Sequence, residues 1–217
     1  TKSYPRSGTT WYDLSGNGND ATLDPTISYQ NTYGGCFSIP NTGVSIQLSS
    51  NINYNTLISG QNFTIMFGAL KQYYGYGGNN TGDGMLILGA PGGYYEGWRI
   101  IEQNHGTTGT SFTYAQQFSF GEPGQNAATV ITDTVNRIGF LAFSQTGSSV
   151  TAFLNNIVVT NTVPAYASGT TSGKIGANAY GVGNFAGLIS FVKIYNRALN
   201  LSEITQNFNT LRGRYGL

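Results

Sequence analysis

Nine carboxylates are available to this chain for acid–base chemistry: Asp13, Asp20, Asp24, Asp83, Glu96, Glu102, Glu122, Asp133 and Glu203. Hydrolysis of a glycosidic bond needs two of them about 5–9 Å apart across the sugar. Two acids alternating along one strand would share a face, but no E-x-D or E-x-E pair occurs. Glu96 and Glu102 flank a predicted strand, and extended chain holds them about 20 Å apart. His105 is the sole histidine, in the loop sequence NHGTTG, with no second histidine to build a zinc site and no adjacent acid to build a triad. Cys36 is the sole cysteine and stands in the apolar run CFSI, the setting of a buried, inert thiol. The run Gly75-Tyr76-Gly77-Gly78 lacks the Lys-Ser/Thr and the helix that a phosphate loop requires.

The residue types that remain suit binding. Two Gly-rich segments, Tyr73 to Gly84 (YYGYGGNNTGDG) and Ala90 to Trp98 (APGGYYEGW), carry Tyr73, Tyr74, Tyr76, Tyr94, Tyr95 and Trp98. Such rings present a flat amphipathic face and a polar tip, fit for a sugar ring or a protein surface. Asn79, Asn80 and Asp83 add hydrogen-bonding groups beside them. The competing use of the same rings is to fill a core.

Short strands must position these groups. Turn residues separate runs at Cys36–Ile39, Val44–Leu48, Phe63–Leu70, Met85–Leu88, Gly97–Ile101, Ser111–Tyr114, Ala128–Thr132, Arg137–Phe143, Val150–Leu154, Ile157–Asn161, Lys174–Ala177 and Leu188–Tyr195. Phe63, Ile65, Phe67 and Ala69 alternate with Thr64, Met66 and Gly68, which predicts a half-buried strand. Asn155-Asn156 sits between two such runs and predicts a tight hairpin, since Asn accepts positive φ. One helix is predicted, at the end. Asn200 and Glu203 have capping-box spacing, and Ile204, Phe208 and Leu211 form one apolar face. Strands do not alternate with helices, so a parallel α/β sheet is excluded in favour of a two-sheet antiparallel jelly-roll sandwich with one short C-terminal helix, in a single domain over residues 1–217.

Charge narrows the partners. Charged residues make up 9% of the chain, against about 25% in an average soluble protein. The net charge of +1 supplies no basic field for nucleic acid. Few charges tolerate close self-association, as in an assembly. No run of 18 apolar residues predicts a membrane span, and no signal-peptide pattern is present. A start at Thr1 rather than Met points to processing or to a fragment. Three N-x-S/T sequons occur, at Asn62, Asn79 and Asn200, of which Asn62 opens a predicted strand and Asn200 the helix.

Two segments together carry a family resemblance. Trp11-Tyr12-Asp13-Leu14-Ser15-Gly16-Asn17-Gly18-Asn19-Asp20-Ala21-Thr22-Leu23 stands near the start, and Phe185 to Leu199 followed by Ser202-Glu203-Ile204 near the end. Both resemble the laminin-G-like domains of the concanavalin A-like lectin/glucanase superfamily. Ser149 to Val159 resembles the family's hairpin, and Lys174-Ile175-Gly176 the strand before the last. Ser3-Tyr4-Pro5 ahead of Trp11, with Leu211-Arg212-Gly213-Arg214-Tyr215 at the end, most resembles copies in structural proteins of tailed bacteriophages. The chain departs from the pattern in three places. The strand usual before Ser-Tyr-Pro is missing, Ser190 and Phe191 stand where acids often follow Gly-x-Ile, and Phe67 and Ile138 replace a middle-strand Trp.

The resemblance implies a non-catalytic structural or adhesion module of a virion, a capsid decoration or tail/fibre part. Its partners would be other virion proteins, in a homo-oligomer or larger assembly, and cell-surface glycans. The alternative is a carbohydrate-binding module of a secreted bacterial protein, extracellular or at the cell surface. A glycoside hydrolase is the enzyme option. No cofactor is implied beyond a structural Ca²⁺, for which Asp13, Asn17, Asn19 and Asp20 would supply oxygens. The competing role of Asp13 is to hold the Ser15-Gly16-Asn17-Gly18 turn through its N–H groups.

Overall fold

The computed structural model of the chain describes residues 3–71, 83–88, 98–103, 112–119, 126–133, 139–162, 173–176 and 185–217. The strands are β1 (Thr10–Trp11), β2 (Ala21–Leu23), β3 (Ser28–Gln30), β4 (Cys36–Ile39), β5 (Ile46–Gln47), β6 (Asn62–Lys71), β7 (Asp83–Leu88), β8 (Trp98–Gln103), β9 (Phe112–Ser119), β10 (Asn126–Asp133), β11 (Gly139–Thr146), β12 (Ser149–Leu154), β13 (Ile157–Thr162), β14 (Gly173–Ile175) and β15 (Gly187–Tyr195). A short helix, α1 (Tyr54–Ser59), precedes β6, and α2 (Leu201–Tyr215) follows β15. Among the described residues no helix is long and apolar enough to cross a membrane.

The strands form two sheets in which the pairings are antiparallel. One runs β1-β2-β5-β14-β7-β8-β9-β10 and the other β13-β12-β11-β6-β15-β4-β3. Leu23, Ile46, Leu86, Leu88 and Ile175 from the first pack with Phe37, Phe67, Phe143, Leu154 and Ile189 from the second in one apolar core. This is the expected β-sandwich of jelly-roll type. Each of the twelve predicted strands is present, with ends shifted by a few residues. The strands that prediction omits, β1 to β3, are two or three residues long.

The expectation of a single helix is corrected by α1. Its six residues are held by the Asn53 side chain, which accepts from the Thr56 N–H at 3.1 Å, and by burial of Tyr54 and Ile58 on one face. The long helix starts as its sequence predicts. The Glu203 N–H donates to Asn200 Oδ1 at 3.0 Å, and the Asn200 N–H donates to Glu203 Oε2 at 2.9 Å. Gly216 ends it in the left-handed conformation at φ 69°.

β6 corrects a second expectation. Its inner residues are buried as predicted, but Thr64 and Met66 on the other face are buried too. The reason is α2, which lies across the outer face of the seven-stranded sheet. Ile204 and Phe208 join Met66, Phe140, Ala142, Phe153 and Leu199 in a second apolar cluster there. The Phe208 ring meets Phe140 and Phe153 with centroids 5.6 and 5.5 Å apart. Leu211, the third predicted member of the face, packs at its margin.

Polar groups fasten the turn that leads into α2. Thr64 and Ser144 are register partners on β6 and β11. Thr64 Oγ1 accepts from the Leu199 N–H at 2.8 Å and lies 3.0 Å from the Arg197 carbonyl, while Ser144 Oγ donates to the Leu199 carbonyl at 2.7 Å. Asn62 Oδ1 accepts from the Ala198 N–H at 2.7 Å. Two of the three sequon asparagines, Asn62 and Asn200, therefore serve the backbone.

β15 carries a bulge at Ser190, where its register against β6 shifts between Ile189 and Phe191. Gly68 of β6 makes room for it. A Cβ at Gly68 would meet Ser190 Oγ and come within 2.6 Å of the Phe191 ring. Ser190 Oγ lies 3.2 Å from the Gly68 carbonyl and 3.0 Å from the Tyr215 hydroxyl, tying the bulge to the last turn of α2. The Asn155-Asn156 hairpin is as predicted, with φ of 48° and 78° and Leu154 paired to Ile157.

Candidate functional site

The two sheets differ in what covers them. The outer face of the seven-stranded sheet is closed by α2. On the eight-stranded sheet, Thr22 and Lys174 are exposed between buried neighbours on their strands and Gln47 is exposed beside buried Ile46, which identifies them as outward-facing. They are register partners, Thr22 with Gln47 and Gln47 with Lys174. The same row continues from Lys174 to Ile87, Arg99, Gln117 and Ala128 on the next four strands. Directly paired residues share a face, so one transverse row runs from Thr22 on β2 to Ala128 on β10. Gln47 is anchored in it by donating from Nε2 to the Gly173 carbonyl at 2.8 Å.

The predicted aromatic site is only partly described. Tyr73, Tyr74, Tyr76, Asn79, Asn80, Tyr94 and Tyr95 lie outside the described residues. They belong to the segments that join β6 to β7 and β7 to β8. Trp98 belongs to β8 rather than to a loop, paired with Leu88, whose side chain is buried. Asp83 opens β7 and pairs with Glu102 on β8. This juxtaposition is invisible to a search for acids alternating along one strand, because the two come together across a ladder 19 residues apart.

The N-terminal acidic cluster is a turn. Asp13 Oδ1 accepts from the Ser15 N–H at 2.8 Å, and Asp13 Oδ2 accepts from the Ser15 hydroxyl at 2.6 Å and from the Asn19 N–H at 3.1 Å. Asp20 Oδ1 accepts from the Asp13 N–H at 2.8 Å. Asn17 turns its side-chain amide to Ser15 Oγ at 2.9 Å, and Asn51 reaches the Gly18 carbonyl at 3.1 Å from outside the loop. Gly16 and Gly18 supply the positive φ the turn needs. Both Asp13 oxygens are committed to N–H and O–H donors, and among the described residues no three His, Cys, Asp or Glu side chains gather around one point. Asp13 thus fills the turn role, and binding of a calcium ion by the same loop, with six to eight oxygens that include carbonyls and waters, is read from the melting temperature in calcium and in chelator. The preceding residues plug the end of the sandwich instead. Trp11 and Tyr4 set their rings 4.8 and 5.0 Å from that of Phe37.

Burial would raise the Asp13 carboxyl, but the hydrogen bonds from Ser15, Asn19 and Asn17 outweigh it and hold the group below its ordinary value of 3.8. A depressed carboxylate stabilises the fold fully above its unfolded value and loses that contribution as pH falls through the folded one. Asp13→Asn is therefore expected to cost about 1 kcal/mol at neutral pH, the scale of one such hydrogen bond near solvent. The difference from wild type should close as pH falls below 3.8. Denaturant titrations at a series of pH values check this, and the melting temperature should be the same in millimolar calcium and in chelator.

No protein-family model matches the sequence. No curated protein matches it significantly either. Solved structures do match in fold. The receptor-binding domain of botulinum neurotoxin type G is similar with a TM-score of 0.67 at 12% identity, over 94% of this chain and 49% of that one. Domain 4 of AbnA, a GH43 extracellular arabinanase from Geobacillus stearothermophilus solved in complex with arabinotriose, is similar with a TM-score of 0.61 at 18% identity, over 89% of this chain and 90% of that one. Trypanosoma rangeli sialidase, solved with the inhibitor DANA, gives a TM-score of 0.62 at 13% identity, over 93% of this chain and 31% of that one. The chain thus spans about half of the neurotoxin domain and a third of the sialidase, but nearly all of the arabinanase domain. At these identities the likeness is one of fold, and the fold is the β-sandwich of jelly-roll type.

Proposed function

We propose that this chain is a non-catalytic binding module that takes glycans on the outer face of its eight-stranded sheet. The observation that carries the proposal is the asymmetry of the sandwich. One sheet spends its outer face on α2, while the other presents Thr22, Gln47 and Lys174 to solvent. Hydroxyl, amide and ammonium groups in a row across paired strands can each meet a sugar hydroxyl. The tyrosines of the segments on either side of β7 supply stacking surfaces in the same reading. The arabinanase domain solved with arabinotriose, of nearly the same extent as this chain, supports it. So does the laminin-G-like character of the terminal segments.

A glycan array is the test. The wild-type chain should bind at least one glycan class. Gln47→Ala and the double variant Tyr73→Ala/Tyr76→Ala should each weaken that binding about tenfold, the scale of one lost hydrogen bond to a charged or well-ordered partner. A blank array rejects the reading.

The setting we infer is a virion, as a capsid decoration or a tail/fibre module in contact with other structural proteins. The phage-like terminal segments and the low charge support it. A purified chain that remains monomeric and ignores capsid and tail proteins would reject that setting and leave a secreted carbohydrate-binding module. The pairing of Asp83 with Glu102 favours a second reading, a glycosidase, because it brings two carboxyl-bearing residues to adjacent strands. Release of reducing sugar by the wild type, abolished by Asp83→Asn or Glu102→Gln, would establish that reading and overturn the first.

A further inference from the structure

The seven-stranded sheet ends in an open edge. Among the described strands, β13 pairs only with β12. Five of its six residues, Ile157, Val158, Thr160, Asn161 and Thr162, are exposed. Helix α2 covers the outer face as far as Phe153 on β12 and stops there. The Phe208 ring meets Phe153, while Val158, the register partner of Phe153, is 41% exposed. Ile157 beside it is 43% exposed. Proteins blunt such edges with short strands, charges, proline or a bulge, or cover them. Strands β1 and β3, at two other edges, are two and three residues long, and β10 at the fourth packs against β12 and β13 from the other sheet. β13 uses none of the blunting devices. Its six residues pair with β12 without a shift of register, and the hairpin from Ser149 to Thr162 holds no charge and no proline.

The hairpin turn fixes which backbone groups this edge offers. Asn155 and Asn156 both have positive φ, the two-residue turn whose closing pair, Leu154 and Ile157, is hydrogen-bonded. Groups directed to one side and to the other alternate along a strand. The N–H and C=O groups of Ile157, Val159 and Asn161 therefore point to β12, and those of Val158, Thr160 and Thr162 point away from it. A row of such groups selects a β-strand as its partner. We propose that the partner is β13 of a second copy, paired antiparallel about a two-fold axis so that the two seven-stranded sheets become one. A two-fold perpendicular to the sheet pairs residues of the same face. Centred on Val159, it sets Val159 against its own copy, Val158 against Thr160 and Ile157 against Asn161. This register joins the outward groups of Val158 and Thr160 to those of the second copy and covers both exposed apolar residues. A register centred on Thr160 leaves Ile157 outside the paired strands. With no charge on either hairpin, the copies meet without repulsion. The inference is independent of the glycan platform, which lies on the other sheet.

Sedimentation velocity over a concentration series, with a cysteine cross-link, tests it. One strand pair is at the small end of specific interfaces, below about 1,200 Å², so the dimer should dissociate in the range of about 10–100 μM. Val158→Lys puts a charge on the edge and should raise the dissociation constant about tenfold or more. Thr160→Pro, which removes an outward N–H and no backbone bond to β12, should do the same. Melting curves like that of the wild type show that the variants fold. The pair centred on Val159 is of the non-hydrogen-bonded kind, with Cα atoms about 4.5 Å apart, within disulfide reach. Val159→Cys should therefore form a disulfide-linked dimer under mild oxidation, Cys36 being buried, and Ser202→Cys on the exposed start of α2 should not. A chain that stays monomeric at millimolar concentration, a dimer that Val158→Lys and Thr160→Pro leave intact, an open-ended series of larger species, or a Val159→Cys chain that links no faster than Ser202→Cys overturns the inference. None of these outcomes bears on the glycan array, and a monomer that still binds capsid or tail proteins leaves the proposed setting in place.

Discussion

Phe208→Ala is expected to destabilise the chain by about 3–5 kcal/mol, the largest effect of any single truncation on α2. Phe208 is buried between Phe140, Phe153 and the α2 backbone, and the Phe140 ring in turn meets Phe191 at 5.6 Å. Removing the ring leaves a cavity walled by other rings that are fixed to paired strands and can collapse little. The loss also falls on one element. Without Phe208, α2 keeps Ile204 and its capping box but loses the contact that spans two strands of the sheet. Urea unfolding monitored by circular dichroism gives the number. A cost below 1 kcal/mol would mean that α2 contributes little to closing the fold.

Thr64→Val comes next, at about 1–3 kcal/mol, although it keeps the shape of the side chain. The hydroxyl it removes is buried and accepts from the Leu199 N–H, whose residue is itself 4% exposed. Water cannot reach that N–H to replace the lost partner. Ser144→Ala should cost about as much, by stranding the Leu199 carbonyl. Thr64 and Ser144 hold the same residue, so the double variant should cost clearly less than the two single ones together. Additive losses in guanidinium titrations would show that the two hydroxyls act independently.

The difference between what the sequence displays and what the fold requires has a physical pattern. The strands were legible because each lies in a run of four or more residues between turn residues, even where pairing takes only two or three of them, as in β5 and β14, and α2 because its cap and apolar face are local. The hidden parts depend on distant chain. Nothing near Met66 announces that a helix 135 residues later covers it, so β6 reads as half-buried until α2 is docked. Helix α1 is short enough that Asn53 and two buried residues make it, a weaker signal than any helix period. At the candidate site, the turn role of Asp13 was legible because Ser15, Asn17 and Asn19 are local. The row from Thr22 through Lys174 to Arg99 was not, because its members come from strands scattered between residues 21 and 175, ordered only by pairing. The meeting of Asp83 with Glu102 was hidden for the same reason. Trp98, grouped by sequence with the loop tyrosines, turns out to occupy a strand position opposite a core leucine.

The order of strands has a consequence for how the chain reaches this state. In the eight-stranded sheet, β14 joins β5 to β7, and in the seven-stranded sheet, β15 joins β4 to β6. Each sheet is thus stitched through its middle by a strand from the last 45 residues. Until those residues leave the ribosome, the earlier strands exist as four unconnected groups, each with an open edge. Sequence separations of this size slow folding, since loop closure precedes the reward of pairing. The chain should therefore condense in one late step rather than piece by piece during synthesis, and a nascent chain stalled before β14 would be the species most in need of protection from its own edges.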